Sequence, residues 1–132
     1  LEELVKAARA VRDKAYAPYS GFKVGAAVLS GSGKIYSGCN VENASYGLTI
    51  CAERTAVFKA VAEGETEFSA LAVVADTLRP TAPCGACRQV MAEFGISKII
   101  MCNTKGEQRV ATLDQLLPAV FDKHDLTGDG KC

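Results

Sequence analysis

The chain has 132 residues, 48% of them hydrophobic, with 15 basic and 15 acidic side chains and a formal net charge of zero. That length is one domain's worth, and the apolar fraction is enough to build a core. A neutral balance gives no electrostatic reason to bind a polyanion, and no apolar run approaches the ~20 residues of a membrane span, so neither nucleic acid nor a membrane is an expected partner.

Leu1 to Tyr16 is predicted as a helix, because Leu1, Leu4, Val5, Ala8, Val11 and Ala15 recur at the 3–4 spacing of one face. Pro18 and Gly21 stop it. Phe22 to Ser30 and Ile35 to Gly38 read as two strands joined by a turn over residues 31–34, a hairpin. Asn40 to Thr49 lacks periodicity and is a polar loop, of the kind that concentrates binding residues. Cys51 to Ala62 follows as a helix closed by Gly64. Phe68 to Ala75 is a continuous apolar run, the pattern of a strand buried on both faces. A two-proline loop over 77–83 leads into a helix from Cys84 to Phe94, closed by Gly95. Ile99 to Cys102 and Gln108 to Ala111 are strands, the second at an edge. Thr112-Leu113-Asp114 starts a last short helix that holds Leu116 and Leu117 and ends at Pro118. The segment after Phe121 is polar and is expected to be a poorly defined tail.

This order predicts an α/β fold, with one central mixed five-stranded sheet and helices on both faces in three α/β/α layers. There are no repeats, linkers or domain boundaries, so residues 1–132 are expected to be a single domain. Both central helices begin just after a loop that follows a strand, which brings their N-termini to one edge of the sheet, where ligands of α/β folds bind.

Six cysteines are many for this length. Disulfides would suit a secreted chain with too small a core, but the apolar fraction here is high. Cys39 and Cys102 end apolar runs and are expected to be buried small residues. Together with the absence of a signal-peptide pattern, this points to a reducing, cytoplasmic compartment.

The remaining chemistry sits in Cys51-Ala52-Glu53-Arg54 and Pro83-Cys84-Gly85-Ala86-Cys87. Cys84 and Cys87 alone fit a thioredoxin-like redox pair as well as a metal site, since a Cys-x-x-Cys at a helix start lowers a thiol pKa. Cys51 and Glu53 favour metal, because a redox pair has no use for a third thiol and a carboxylate. A closed structural zinc site needs a fourth ligand, and the one histidine, His124, lies in the tail. Three thiolates leave one tetrahedral position open, as in a catalytic site, and Glu53 is close enough to touch what fills it. The three thiolates carry one negative charge more than the zinc neutralises. Arg54 is placed to offset it, with Arg88 and Gln89 as more distant supports. Asp125 to Gly130 only faintly matches a calcium loop and lacks the closing Glu. Asn40 and Glu42 alternate on an extended segment and suit sugar hydroxyls, whereas Glu42 would repel a phosphate.

Cys51-Ala52-Glu53 followed by Pro83-Cys84-Gly85-Ala86-Cys87 resembles the zinc-dependent nucleoside and nucleobase deaminases. The stretches Ala17-Pro18-Tyr19-Ser20, Gly38-Cys39-Asn40-Val41-Glu42-Asn43-Ala44 and Cys51-Ala52-Glu53-Arg54-Thr55-Ala56 resemble the small homotetrameric cytidine deaminases, over about residues 1 to 121. The resemblance implies hydrolytic deamination of cytidine and 2′-deoxycytidine, with one Zn²⁺ per subunit on Cys51, Cys84 and Cys87 and with Glu53 as proton shuttle. It further implies that Asn40, the Val41 backbone and Glu42 hold the sugar. By the same resemblance Phe22 and a neighbouring subunit's Phe121 would stack on the pyrimidine, the Ala52 backbone would meet the exocyclic amine, and Arg54 would support the thiolates. The resemblance places Ala44 and Tyr46 in the family's inter-subunit loop and implies a homotetramer with shared active sites. A blasticidin-S-type deaminase shares the cysteine pattern; the Asn40-to-Ala44 segment argues for a nucleoside.

Overall fold

The protein is described here by a computed structural model that covers residues 1–128. Cys132, and the Asp129 and Gly130 end of the stretch compared with a calcium loop, lie outside the described residues. Helix α1 (Glu2–Arg12) is followed by strands β1 (Val24–Ser30) and β2 (Ile35–Cys39). Helix α2 (Ala52–Ala62), strand β3 (Phe68–Ala75) and helix α3 (Gly85–Glu93) form the middle of the chain. Strands β4 (Lys98–Asn103) and β5 (Gln108–Thr112) and short helices α4 (Leu113–Leu116) and α5 (Lys123–Thr127) complete it.

The strands form one five-stranded sheet in the order β2-β1-β3-β4-β5. Strand β1 is antiparallel to β2 and β3, β3 is parallel to β4, and β4 is antiparallel to β5, so the sheet is mixed as expected. Side chains alternate across β3. Leu71, Val73 and Ala75 face α2 and α3, whereas Ala70, Ala72 and Val74 face Leu4, Val5 and Ala8 of α1. Both faces are therefore covered, which explains the unbroken apolar run of this strand. The three α/β/α layers follow directly.

Two glycines set how closely the helices approach. A Cβ on Gly25 would lie 2.0 Å from the Ala8 carbonyl oxygen of α1, and one on Gly38 would lie 2.5 Å from the Ala56 amide nitrogen of α2. Only hydrogen fits at these positions.

Four expectations need correction. Helix α1 ends at Arg12, before Tyr16, because Tyr16 is drawn into pairing with the loop: its N–H donates to the Asn40 carbonyl at 3.0 Å and its carbonyl accepts from Glu42 at 2.8 Å. Strand β1 begins at Val24 and not at Phe22, whose N–H donates to the Ser20 hydroxyl and whose carbonyl accepts from Asn40 Nδ2, which leaves Phe22 44% exposed outside the sheet. Cys102 is fully buried, but Cys39 is only half-buried, since it ends an edge strand with one side unpaired. Beyond Phe121 the chain forms α5. Asp122 and Asp125 make a capping box at its start, and Gly128, in the left-handed region, closes it.

Candidate active site

Cys51 and Cys84 are the residues that precede α2 and α3, both with extended backbones, and Cys87 lies on the first turn of α3. The two helix starts converge on the same side of the sheet. The sulfurs of Cys51, Cys84 and Cys87 all lie within 4.8 Å of one another, with Cys51 and Cys84 3.8 Å apart. Thiolates at ~2.3 Å around a tetrahedral zinc stand about 3.8 Å apart, so the donor set fits this ion by both chemistry and spacing. Among the described residues no other cluster of His, Cys, Asp and Glu is spaced to hold a metal.

The thiols themselves are unequal. A hydrogen bond from Cys87, together with those from Arg54 and Cys84, brings Cys51 down to about 5. Cys87 is pushed up because its proton is the one shared with Cys51, and because it is buried beside Glu53. A divalent cation among the sulfurs favours the thiolate form of all three. Nη2 of Arg54 donates to Cys51 Sγ at 3.3 Å, and the contact with Cys51 in turn strengthens the hold of Arg54 on its proton. The Nε of Arg54 is buried without a hydrogen-bond partner. The guanidinium thus sits against the thiolate cluster, where surplus negative charge offsets its own burial.

Glu53 is 5% exposed, and burial raises its pKa to about 7. It lines a cavity of about 190 Å³ with Phe22, Asn40, Cys51, Ala52 and Cys84. Six of the residues singled out from sequence therefore meet around one space. A buried carboxyl with a raised pKa, two of the three clustered thiols and an aromatic ring face it together, which suits acid–base chemistry on a flat ring.

Asn40 is 7% exposed, and its amide is largely committed. Nδ2 donates to the Phe22 carbonyl at 2.8 Å and Oδ1 accepts from the Val24 N–H at 2.9 Å, leaving one N–H. Val41 pairs with Ile50 in both directions at 3.0 Å, so its N–H is also taken. Glu42 lies outside the Glu53 cavity, in an adjoining one of about 250 Å³ formed with Tyr19, Ser20, Tyr46 and Thr49; Thr49 borders both. Phe121 is 59% exposed and does not line the Glu53 cavity of its own chain.

Sequence reasoning missed two residues of the cavity wall, and the two expected distant supports of the thiolates, Arg88 and Gln89, bond backbone carbonyls instead. Thr81 and Ala82 form part of the cavity wall, and the prolines flanking them were the only signal. Arg88 proves to be a tie between segments: Nε donates to the Pro83 carbonyl at 2.8 Å and Nη1 to the Leu116 carbonyl at 2.7 Å. Gln89 Nε2 donates to the Phe121 carbonyl at 2.7 Å.

A family model described as the cytidine and deoxycytidylate deaminase zinc-binding region matches residues 1–103. The chain is 53% identical over 129 residues to a cytidine deaminase of Sporosarcina psychrophila, covering 96% of this chain and 95% of that one. It is 53% identical over 125 residues to a cytidine deaminase of Halalkalibacterium halodurans, covering 93% and 95%. Among solved structures it is similar to the cytidine deaminase from Burkholderia pseudomallei, with a TM-score of 0.88 at 55% identity, covering 91% of this chain and 98% of that chain.

Proposed function

The chain belongs to the cytidine and deoxycytidylate deaminase family, and on that premise we propose that it hydrolyses cytidine and 2′-deoxycytidine to uridine and 2′-deoxyuridine with release of ammonia. The observation that carries this reading is the convergence of Glu53, Phe22, Asn40 and two of the three clustered cysteines on one cavity. Cys51, Cys84 and Cys87 would hold one zinc ion, which supplies a Lewis acid that makes water nucleophilic at neutral pH.

The rest of the reaction is assigned to the chain's own groups. Glu53, with its pKa raised to about 7, is matched to moving protons in both directions near neutral pH. It accepts a proton from the attacking water and passes it to N3 of the pyrimidine as C4 is attacked. It then carries the second proton to the exocyclic nitrogen, which leaves as ammonia. The Ala52 backbone receives that amine, and Phe22 stacks on the ring. Arg54 lowers the effective charge of the thiolates through its bond to Cys51. The last N–H of Asn40, the remaining lone pair of the Val41 carbonyl and Glu42 hold the sugar, Glu42 at its 3′-hydroxyl.

Residues 1–132 act as one domain in this reading, supported by a single sheet whose strands run from Val24 to Thr112. Subunits assemble as a homotetramer, and Phe121 enters a neighbour's site, a role consistent with its position outside its own cavity. Among the described residues no helix is long and apolar enough to cross a membrane, and we assign the protein to the cytoplasm.

The test is a substrate panel on zinc-loaded protein: cytidine, 2′-deoxycytidine, deoxycytidylate and blasticidin S, with ammonia as readout. Turnover of the two nucleosides, with little of the nucleotide or the antibiotic, is expected. Preference for either of the latter would overturn the substrate assignment.

A further inference from the structure

We infer that Ser20 is a positioning residue for sugar recognition: its hydroxyl fixes the Glu42 carboxylate in the orientation that meets a ribose 3′-hydroxyl. The inference rests on the assignment of Glu42 to the sugar made above.

Glu42 is not free to turn. Its Oε1 accepts from the Tyr19 N–H at 2.9 Å and from the Ser20 N–H at 3.1 Å. Its Oε2 accepts from the Ser20 hydroxyl. These three donors also hold the carboxyl below its usual pKa, the Ser20 hydroxyl most of all. An ionised carboxylate offers about four lone-pair sites, so three are filled and one remains on Oε2. A single open acceptor site with a fixed direction is what selects one hydroxyl over its neighbours.

The hydroxyl of Ser20 is itself held in place. Its oxygen accepts from the Phe22 N–H at 3.0 Å, which turns its proton towards Glu42. The turn that presents it is closed by the Gly21 N–H donating to the Ala17 carbonyl at 2.9 Å, with Gly21 in the left-handed region at φ +70°. Tyr19, Ser20, Gly21 and Phe22 are exposed and Glu42 is partly so, so an alanine at position 20 leaves both the Phe22 amide and Glu42 able to take water. The loss then falls on the direction of Glu42 and leaves the fold intact.

The experiment is steady-state kinetics of the zinc-loaded enzyme on cytidine and on 3′-deoxycytidine, for wild type, Ser20→Ala and Ser20→Thr. For Ser20→Ala, kcat/KM on cytidine should fall about tenfold, through KM with kcat nearly kept, as fits the loss of one charge-assisted hydrogen bond. On 3′-deoxycytidine the same variant should match wild type within about twofold, because the hydroxyl that Glu42 would meet is gone. Ser20→Thr, which keeps the hydroxyl, should restore cytidine kinetics. An equal loss on both substrates, or no rescue by threonine, would make Ser20 a loop-stabilising residue and overturn the inference. Wild-type enzyme that treats the two substrates alike would instead show that Glu42 does not read the 3′-hydroxyl, and the role of Ser20 would fall with that assignment.

Discussion

Replacing Glu53 with Gln changes one oxygen in a side chain that is 5% exposed, so the shape of the site is kept and the carboxyl proposed to carry protons is lost. Glu53→Gln should retain its full zinc content and lose ~10²–10⁴-fold or more in kcat. Metal analysis and ammonia release check this together, and turnover within tenfold of wild type would remove Glu53 from the mechanism. Arg54 acts at one bond's distance, through Cys51. Arg54→Ala leaves the thiolate charge uncompensated, so binding a cation gains in charge attraction but loses the donor that orders Cys51. The expected net result is lower turnover with zinc still bound, a signature distinct from loss of a ligand. Cys84→Ala, by contrast, should cost the zinc itself.

The starts of α2 and α3 carry all three clustered cysteines, so anything that shifts these helices should show in zinc binding. At Gly38 an added Cβ would meet the Ala56 amide nitrogen at 2.5 Å, and backbone cannot rotate away. Gly38→Ala should destabilise the protein by ~1–3 kcal/mol in denaturant unfolding and weaken zinc retention against a chelator. Stability and zinc affinity that both stay at wild-type values would mean that α2 is free to slide. Arg88 braces α3 from its other side, through the Pro83 and Leu116 carbonyls. What the sequence made legible follows from the same physics. The ligand cysteines and Glu53 were visible because their chemistry depends on residue type and short spacing. The five strands were visible because their alternation or apolar continuity is local. Arg88 was only a distant candidate, because its second bond spans 28 positions and ends on a backbone carbonyl, which any residue could supply. The role of Ser20 was hidden for the same reason, since Glu42 lies 22 positions away. Helix α1 was drawn too long because periodicity cannot see the pairing of Tyr16 with the 40–42 segment. Helix α5 was missed because it rests on capping by Asp122 and Asp125, with no apolar face to announce it.

At the scale of the whole molecule, apolar surface remains where a single chain has no use for it. Phe58 on α2 is 46% exposed, and Tyr46, Leu48 and Phe121 are also exposed. The homotetramer proposed above would cover this surface and would bring Phe121 to a neighbour's cavity. Light scattering should find about four chains per particle. Phe121→Ala should keep zinc and raise KM for cytidine roughly tenfold, since stacking a base on an aromatic ring is worth ~1–3 kcal/mol. A fully active monomer at nanomolar concentration would refute shared sites while leaving the chemistry at Glu53 untouched. The most direct measurement concerns the three sulfurs and the cavity beside them. Protein stripped with a chelator is titrated with zinc while uridine formation from cytidine is followed. Activity should rise in proportion to added zinc and level off at about one ion per chain, as three converging thiolates require. Full activity in the stripped protein, or zinc uptake with no uridine formed at any stoichiometry, would contradict the account.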